Sequence, residues 1–503
     1  MARDILCRFR LTGTLVARTP LHVGGHGDDV DTDLPLARDG RGNLYVTGTS
    51  IAGAVRQWCE QAFGYVAMNA HWGCQEGDQG HASFVVVEDV PVNESSAVIV
   101  EVRDGVGIDR GRGAAAEQIK YNRAILPRGT ELQFALSAEA EDTEQRLAVL
   151  GMLTGLREAL EKTEVRLGAS KTRGLGKIQL QGGKLVEERF NDRQSILEFL
   201  RRGGTTSIPD LAEARHRYPA RQRPGLRVVI DWHPAGPLMV KAGNDGVAVD
   251  MLPLVSGRDG GLSLVLPGSS VKGAMRAQCE RIVRTLQGHD LTGSFLTDLE
   301  LPLIDDLFGL RGLSDGDFRR RNCPGDEARG LAALSVDDCY GKTTLSRAHW
   351  AAVQGATTDT VLQDALKAAN LQRWSQAYHV AVDRWTGAAA ESMLYTVIEP
   401  HRAEWEPLEL EIDLGRLGDA ERLPAVALLL LVLRDLAQGR LPLGFATHRG
   451  MGEVEVTSVR IMPREVEAPL DGLRGVTVSK QGLANVPAAL NQAWQRWIEG
   501  EVT

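Results

Sequence analysis

Gly48-Thr49-Ser50-Ile51-Ala52-Gly53-Ala54-Val55-Arg56 occurs twice in this chain. The second copy is Gly268-Ser269-Ser270-Val271-Lys272-Gly273-Ala274-Met275-Arg276, with every shared position displaced by 220 (48 to 268, 56 to 276). A small residue, a serine, a glycine and an arginine recur at fixed spacing where an apolar-periodic segment begins. That is the pattern of a helix N-terminus, with Thr49 or Ser50 available as the cap. Backbone N–H groups at such an end attract anions, phosphate among them. One copy alone reads as an ordinary capped helix. Two copies make the segment a mark of architecture.

Working outward, two further motifs repeat in the same order. Asp109-Arg110-Gly111-Arg112-Gly113-Ala114-Ala115-Ala116-Glu117 returns as Asp383-Arg384-Trp385-Thr386-Gly387-Ala388-Ala389-Ala390-Glu391, agreeing at seven of nine positions. Gly168-Ala169-Ser170-Lys171-Thr172-Arg173-Gly174-Leu175-Gly176 returns, displaced by 276, as Gly444-Phe445-Ala446-Thr447-His448-Arg449-Gly450-Met451-Gly452. The chain is therefore a duplicated domain. The first copy is expected over 1–190, a linker over 191–223 and the second copy over 224–462. A tail over 463–503 carries Leu490, Trp494, Trp497 and Ile498 on one helix face, a face suited to docking. From Arg56 to Asp109 the sequence takes 53 steps, and from Arg276 to Asp383 it takes 107. Copy two thus carries 54 additional residues, expected as one helical insertion around 300–378. The arginine-rich run from Arg215 to Arg223 reads either as a solvated linker or as an RNA contact.

Bulk properties narrow the class. With 503 residues, 43% hydrophobic and 24% charged, the chain can bury sizeable cores. A net charge of −9 argues against a generally basic nucleic-acid binder, though a basic groove can sit on an acidic body. Six scattered cysteines give no disulfide framework, which fits a reducing cytoplasm. The longest apolar run, Ala425 to Leu433, falls short of the ~20 residues a membrane span needs.

The ordered set of motifs resembles the RAMP superfamily, specifically the backbone subunits of type III CRISPR effector complexes, with two copies fused as in type III-D variants. The resemblance rests on Leu21-His22-Val23-Gly24-Gly25 leading to Asp33-Leu34-Pro35, and on Gly48-Thr49-Ser50 with Gly53 and Arg56. It rests also on Ile108-Asp109-Arg110 followed by Ile125-Leu126-Pro127, and on the closing Gly174-Leu175-Gly176. It implies an α+β fold: two tandem ferredoxin-like (RRM-like) domains with β-hairpin thumbs at Asp109–Pro127 and Asp383–Pro400. It implies guide RNA, target RNA and other type III subunits, a large polymerase-like one included, as partners, and no membrane. It also implies Mg²⁺-dependent cutting of the target.

For RNA binding the candidates are Ser50, Gly53, Arg56, Ser270, Lys272, Gly273, Arg276, Arg110, Arg384, Lys171, Arg173 and Arg449. Glycine admits a phosphate and arginine pairs with it. Arg56 has the alternative reading of one half of a helix-surface ion pair, and the closing loops read equally as plain turns. Contacts to phosphate and 2′-hydroxyl would make binding independent of sequence.

For catalysis the candidates are Asp33 and Asp250. A carboxylate beside a bent phosphodiester can orient or deprotonate a 2′-hydroxyl or recruit Mg²⁺. Asp33-Leu34-Pro35 matches the family pattern, whereas Asp250-Met251-Leu252-Pro253 is one residue longer. Asp28, Asp29 and Asp31 read as a solvated acidic loop. His22 and His26 are acid–base types without a counterpart in copy two. His71, Cys74 and His81 are zinc-ligand types. Cys59 has the counterpart Cys279 and reads as core. Two other functions stay open, a non-catalytic RNA-binding backbone and a guide-RNA processing endonuclease.

Overall fold

The computed structural model describes residues 4–25, 32–76, 79–92, 99–243, 246–292, 301–309 and 331–500. It divides into two compact units. Unit 1 takes in the chain up to Val102, Arg123–Lys171 and Leu175–Arg223. Unit 2 takes in Arg103–Asn122, Thr172–Gly174 and the chain from Pro224 on. Each has a separate apolar core.

Unit 1 begins with strand β1 (Cys7–Ala17), followed by helix α1 (Gly48–Phe63) and strand β2 (Val85–Val87). A hairpin of β3 (Glu101–Ile108) and β4 (Ala115–Ile125) comes next, its outer part counted in unit 2. Strand β5 (Glu131–Ala140), helix α2 (Thr143–Glu161) and strand β6 (Ile178–Arg189) complete the set. The sheet order is β6-β1-β5-β2, antiparallel throughout. Numbering the four core strands by sequence gives 4-1-3-2, the ferredoxin-like order. The period-two pattern of β5 explains its orientation. Leu132, Phe134, Leu136, Ala138 and Ala140 are buried, and the residues between them face outward or lie half-buried.

Unit 2 repeats the order with β7 (Gly225–Pro234), α3 (Gly268–Gln287), β8 (Leu334–Asp337), the hairpin β9 (Trp374–Val382) and β10 (Ala389–Pro400), β11 (Leu408–Asp413), α4 (Asp419–Ala437) and β12 (Val454–Arg464). Its sheet runs β12-β7-β11-β8 and ends on the two-residue strand Arg173–Gly174. Helix α4 is buried almost all round, unlike an amphipathic surface helix, and packs against α5 (Ala488–Ile498). Leu490, Trp494 and Trp497 of α5 join the core.

The additional residues of copy two are not one insertion. The displacement between copies is 220 at Arg56/Arg276, 249 at Asp89/Asp338 and 274 at Asp109/Asp383. Strand β8 lies between the two jumps and is the counterpart of β2. One addition precedes it and includes the short helix Ile304–Phe308. The other follows it as helices Arg347–Gln354 and Asp359–Ala368. A four-residue apolar strand carries too little periodicity to stand out between helical patterns.

Residues 191–223 are not a bare linker. They form helices Arg193–Arg202 and Leu211–Arg217 and belong to unit 1. Ala214 is fully buried, Arg215 pairs with Glu158 at 2.6 Å and Arg217 with Glu144 at 2.8 Å. Two of the arginines that read as a possible RNA contact are thus partnered inside the unit.

Candidate nucleic-acid interface

In each unit the glycine loop, the hairpin base and the closing loop meet. In unit 1, Leu21 bridges Leu126, Leu34 bridges Arg123, and the Ala169 N–H donates to the His22 carbonyl at 2.9 Å. In unit 2, Met251 bridges Val397, the Leu238 N–H donates to the Pro400 carbonyl at 3.4 Å, and the Phe445 N–H donates to the Met239 carbonyl at 2.8 Å. The bonds correspond one for one. The Gly25 N–H donates to the Pro35 carbonyl at 3.1 Å, and the Ala242 N–H to the Leu252 carbonyl at 2.8 Å.

This correspondence fixes the aspartates. The displacement is 217 from Leu21/Leu238 to Gly25/Ala242 and again 217 from Asp33/Asp250 to Ala37/Leu254. The longer Asp-to-Pro spacing in copy two is therefore no loop extension. The proline has moved one position along an unchanged backbone, since Leu36 bridges Gly24 where Pro253 bridges Lys241. Asp33 and Asp250 are both exposed, and each stands one residue before the bridge to the return strand of its hairpin. In unit 2 a single carboxylate oxygen of Asp250 accepts from the Thr396 N–H at 2.7 Å and from its hydroxyl at 3.0 Å. Asp28, Asp29, Asp31 and His26 lie outside the described residues. His22 is buried, and its Nδ1 lies 2.7 Å from the Ala124 carbonyl. Burial pushes its pKa down, and the Arg123 charge adds to that. His22 ties the loop to the hairpin base.

A small apolar cluster of Met239, Val397 and Met451 supports the Asp250 region, with Met251, Tyr395 and Phe445 packed on it. Tyr395 and Arg449 mark a feature that the sequence motifs did not include. The Arg449 guanidinium donates to the Tyr395 hydroxyl and lies 5.5 Å from the Phe445 ring centroid. His379 stacks on the tyrosine ring, with the ring centroids 5.3 Å apart. The same pairing exists between the counterparts, where Arg173 lies 3.5 Å from the Tyr121 hydroxyl. Gly105, the counterpart of His379, admits that ring, since a Cβ there would meet Tyr121 carbon at 2.4 Å. The signal was present as Tyr121 and Tyr395, displaced by 274 in step with the Asp-Arg motif.

The hairpin tips explain why Asp-Arg-x-x-Gly repeats. Asp383 accepts from the Trp385 and Thr386 N–H groups, both at 2.8 Å, which hold its carboxyl below the ordinary range. Asp109 accepts from the Arg112 N–H at 2.8 Å. Gly113 and Gly387 supply positive φ at 64° and 69°. Arg384 is exposed, and Trp385 beside it is 96% exposed.

The helix starts correct the sequence reading. Thr47, not Thr49 or Ser50, caps α1, accepting from the Ser50 N–H, and α3 has no side-chain cap. The first N–H of each helix is already taken by a carboxylate. Gly48 donates to Asp89 at 2.6 Å and Gly268 to Asp338 at 2.8 Å. Lys272 is 4% exposed, and its ammonium donates to the Thr172 hydroxyl at 3.1 Å and the Leu334 carbonyl at 2.8 Å, which removes it from any RNA surface. Arg56 pairs with Glu60 at 2.7 Å and reaches Asn69 at 3.0 Å, the helix-surface alternative. Arg276 pairs with Glu280 at 2.8 Å and Asp305 at 3.2 Å, and burial raises the Asp305 pKa to about 6 against that pairing. Arg110 pairs with Glu280 at 2.5 Å. Lys171 donates to Gln57 at 3.0 Å. Ser50 accepts from the Thr47 hydroxyl at 2.7 Å, and the Ser270 N–H donates to the Pro267 carbonyl at 2.9 Å. Gly53 and Gly273 are exposed, and among the described residues nothing beyond their own helix comes within 4 Å of a built Cβ, so packing there does not require glycine. A mid-helix glycine costs about 0.5–1 kcal/mol relative to alanine.

Cys74 and His81 are register partners on a short hairpin, and His71 is buried on the preceding helix. Burial pushes the His71 pKa down, and His81 adds to it. Among the described residues no three His, Cys, Asp or Glu side chains are placed to hold a metal ion. Cys59 and Cys279 are core thiols whose pKa burial drives up.

The RAMP superfamily model matches residues 14–179 and 253–455, one stretch over each copy. The chain belongs to the RAMP superfamily. That makes it a CRISPR-associated RNA-binding subunit with a guide RNA and an effector complex as partners, in a superfamily of which some members are endoribonucleases. No curated protein is significantly similar to it. Among the described residues no helix is long and apolar enough to cross a membrane.

Glycine tests the RAMP closing loop directly. Gly174 has φ 97°, and a Cβ there would sit 2.0 Å from the Asp338 carboxylate and 3.0 Å from the Gly268 nitrogen. Gly450, its counterpart, has φ 84° and open space. Gly174→Ala should cost about 1–3 kcal/mol from backbone strain with a clash added, and Gly450→Ala the strain alone. Equal losses of stability in thermal unfolding would contradict this.

Proposed function

We propose that this chain is a backbone subunit of a type III CRISPR effector complex, holding guide RNA along both domains and cutting complementary target RNA at Asp33 and Asp250. The observation that carries the reading is the equivalence of the two aspartates, exposed and one residue before the hairpin base at a displacement of 217. The hairpins act as thumbs that bend the RNA, and the bend brings a target 2′-hydroxyl into line with its own phosphodiester. The carboxylate orients that hydroxyl and takes its proton. One oxygen of Asp250 is engaged by Thr396, and its other oxygen has the hard-donor chemistry that suits Mg²⁺. The cation would neutralise charge on the phosphate during the cut. Arg173 and Arg449 hold the backbone beside their tyrosines, and Arg384 and the open glycines Gly53 and Gly273 extend the contact.

Salt-dependent binding tests the guide-holding part. Arg173→Ala and Arg449→Ala should each weaken single-stranded RNA binding whatever the sequence. Each should lower the slope of log K against log salt by about 0.7. Unchanged affinity and slope would sink these contacts. A purified chain that cuts a guide precursor hairpin unaided would instead be a processing endonuclease.

A further inference from the structure

In unit 2, two carboxylates receive two arginines. Asp338 is fully buried, takes the Gly268 N–H at the start of α3 and pairs with Arg103, which also donates to the Ser256 hydroxyl at 2.8 Å. Burial pushes the Asp338 pKa up against the pull of Arg103. Glu280, one helix face further on, has a side chain 2% exposed and takes Arg110 together with Arg276. Both incoming arginines belong to the segment Arg103–Asn122. Thr172–Gly174 closes over the same helix start, with Gly174 against Gly268 and Asp338.

Unit 1 contains the same receptor uncovered. Asp89 and Glu60 are the counterparts of Asp338 and Glu280, displaced by 249 and 220. Asp89 takes the Gly48 N–H in the same way, and Glu60 holds Arg56 as Glu280 holds Arg276. Yet Asp89 is exposed and the Glu60 side chain is 24% exposed. The nearest atoms to a Cβ built on Gly48 are backbone atoms of Val87 and Glu88, whereas those nearest to one on Gly268 include Gly174.

We propose that Asp89 and Glu60 form a docking surface for the hairpin of another RAMP-fold chain, one that carries arginines spaced as Arg103 and Arg110 are. The occupant is not a second copy of this chain. Its second hairpin has Arg384 where Arg110 stands, but Ala377 where Arg103 stands, so Asp89 would be covered without a cation. Covering a carboxylate unpaired is costly, and this mismatch disfavours head-to-tail chains of identical subunits. The effector-complex reading supplies the setting, and the cutting reaction plays no part in the argument.

The test is native mass spectrometry of the complex assembled from its own subunits, through a salt titration, with Asp89→Asn/Glu60→Gln beside the parent. The variant should lose one neighbouring protein at lower salt, with its affinity reduced about a hundredfold. Asp89→Glu keeps the charge and should retain the neighbour, and amide exchange in β1 and β5 should match the parent, which separates docking from misfolding. Unchanged composition and salt response would overturn the proposal. So would loss of RNA in place of a protein, or loss of a neighbour whose hairpin lacks the two arginines. A complex that never cuts target still gives a clear answer, because composition is what is read.

Discussion

Asp33→Ala should remove one cut from the target RNA and Asp250→Ala a second, each slowing its own cut by about 10²–10⁴-fold. The expected effects are equal because the two backbones are equivalent. Both aspartates stand one residue before the bridge to the hairpin's return strand, at the displacement of 217 that also relates Leu21 to Leu238. Both aspartates are exposed and outside the two apolar cores. Guide and target binding should therefore survive each substitution. In the proposed reaction the target's own 2′-hydroxyl attacks the phosphorus and the 5′-oxygen leaves. The products then carry a 5′-hydroxyl and a cyclic or 3′-phosphate. Denaturing-gel mapping of an end-labelled target, with the assembled complex and Mg²⁺, reads both sites at once. A full set of cuts from the Asp33→Ala complex would falsify the assignment. Loss of target binding would make the aspartate structural. Loss of cuts in the parent on replacing the target 2′-hydroxyls with deoxy sugars checks the attacking group independently.

The duplication was legible because three motifs recur, and period-two patterns mark the long strands, but the ferredoxin-like arrangement was legible only through the family resemblance. The partners of the helix starts were not. Gly48 meets a carboxylate 41 residues on and Gly268 one 70 residues on, and neither Asp89 nor Asp338 has a local signature. A free helix end and one closed by a distant aspartate look identical in sequence. Lys272 misleads for a related reason. Its position matches an exposed helix face until Thr172 and the Leu334 carbonyl supply buried acceptors for its ammonium. The Asp-to-Pro spacing suggests a longer loop at Asp250, but length is fixed by the bridges, and proline fits either of two adjacent positions there. Tyr121 and Tyr395 repeat in step with the recognised motif but lie beyond its end. Their role appears only when the closing-loop arginines are seen beside them.

Arg146→Ala should be the most destabilising single change in unit 1, costing about 3–5 kcal/mol. Arg146 projects from α2 and grips Glu187 on β6 with two bonds, Nε to Oε1 at 2.6 Å and Nη2 to Oε2 at 3.2 Å. Its third donor reaches Asp210 at 2.7 Å, which ties the segment after β6 to the same helix. The Glu187 side chain has no exposure, so removing the arginine strands a buried carboxylate with only Arg189, at 3.0 Å, as a cationic partner. Burial raises the Glu187 pKa, but hydrogen bonds and charge from Arg146 and Arg189 more than offset this and hold it below its ordinary value. A lowered folded-state pKa contributes stability above the unfolded value, and that stability is lost as pH falls through the folded value. In Arg146→Ala only Arg189 remains to oppose burial, so the stability that is lost on acidification through Glu187 should shrink. Amide exchange is the suitable measurement, because two units need not unfold together. Exchange in β1 and β6 should quicken by about two to three decades while β7 and β12 hold their rates. Arg146→Met with Glu187→Leu removes the charge and the partner together and should cost less than either single change. Equal protection in parent and Arg146→Ala, or a double substitution as harmful as the sum of the two, would mean that this pair does not hold unit 1 closed.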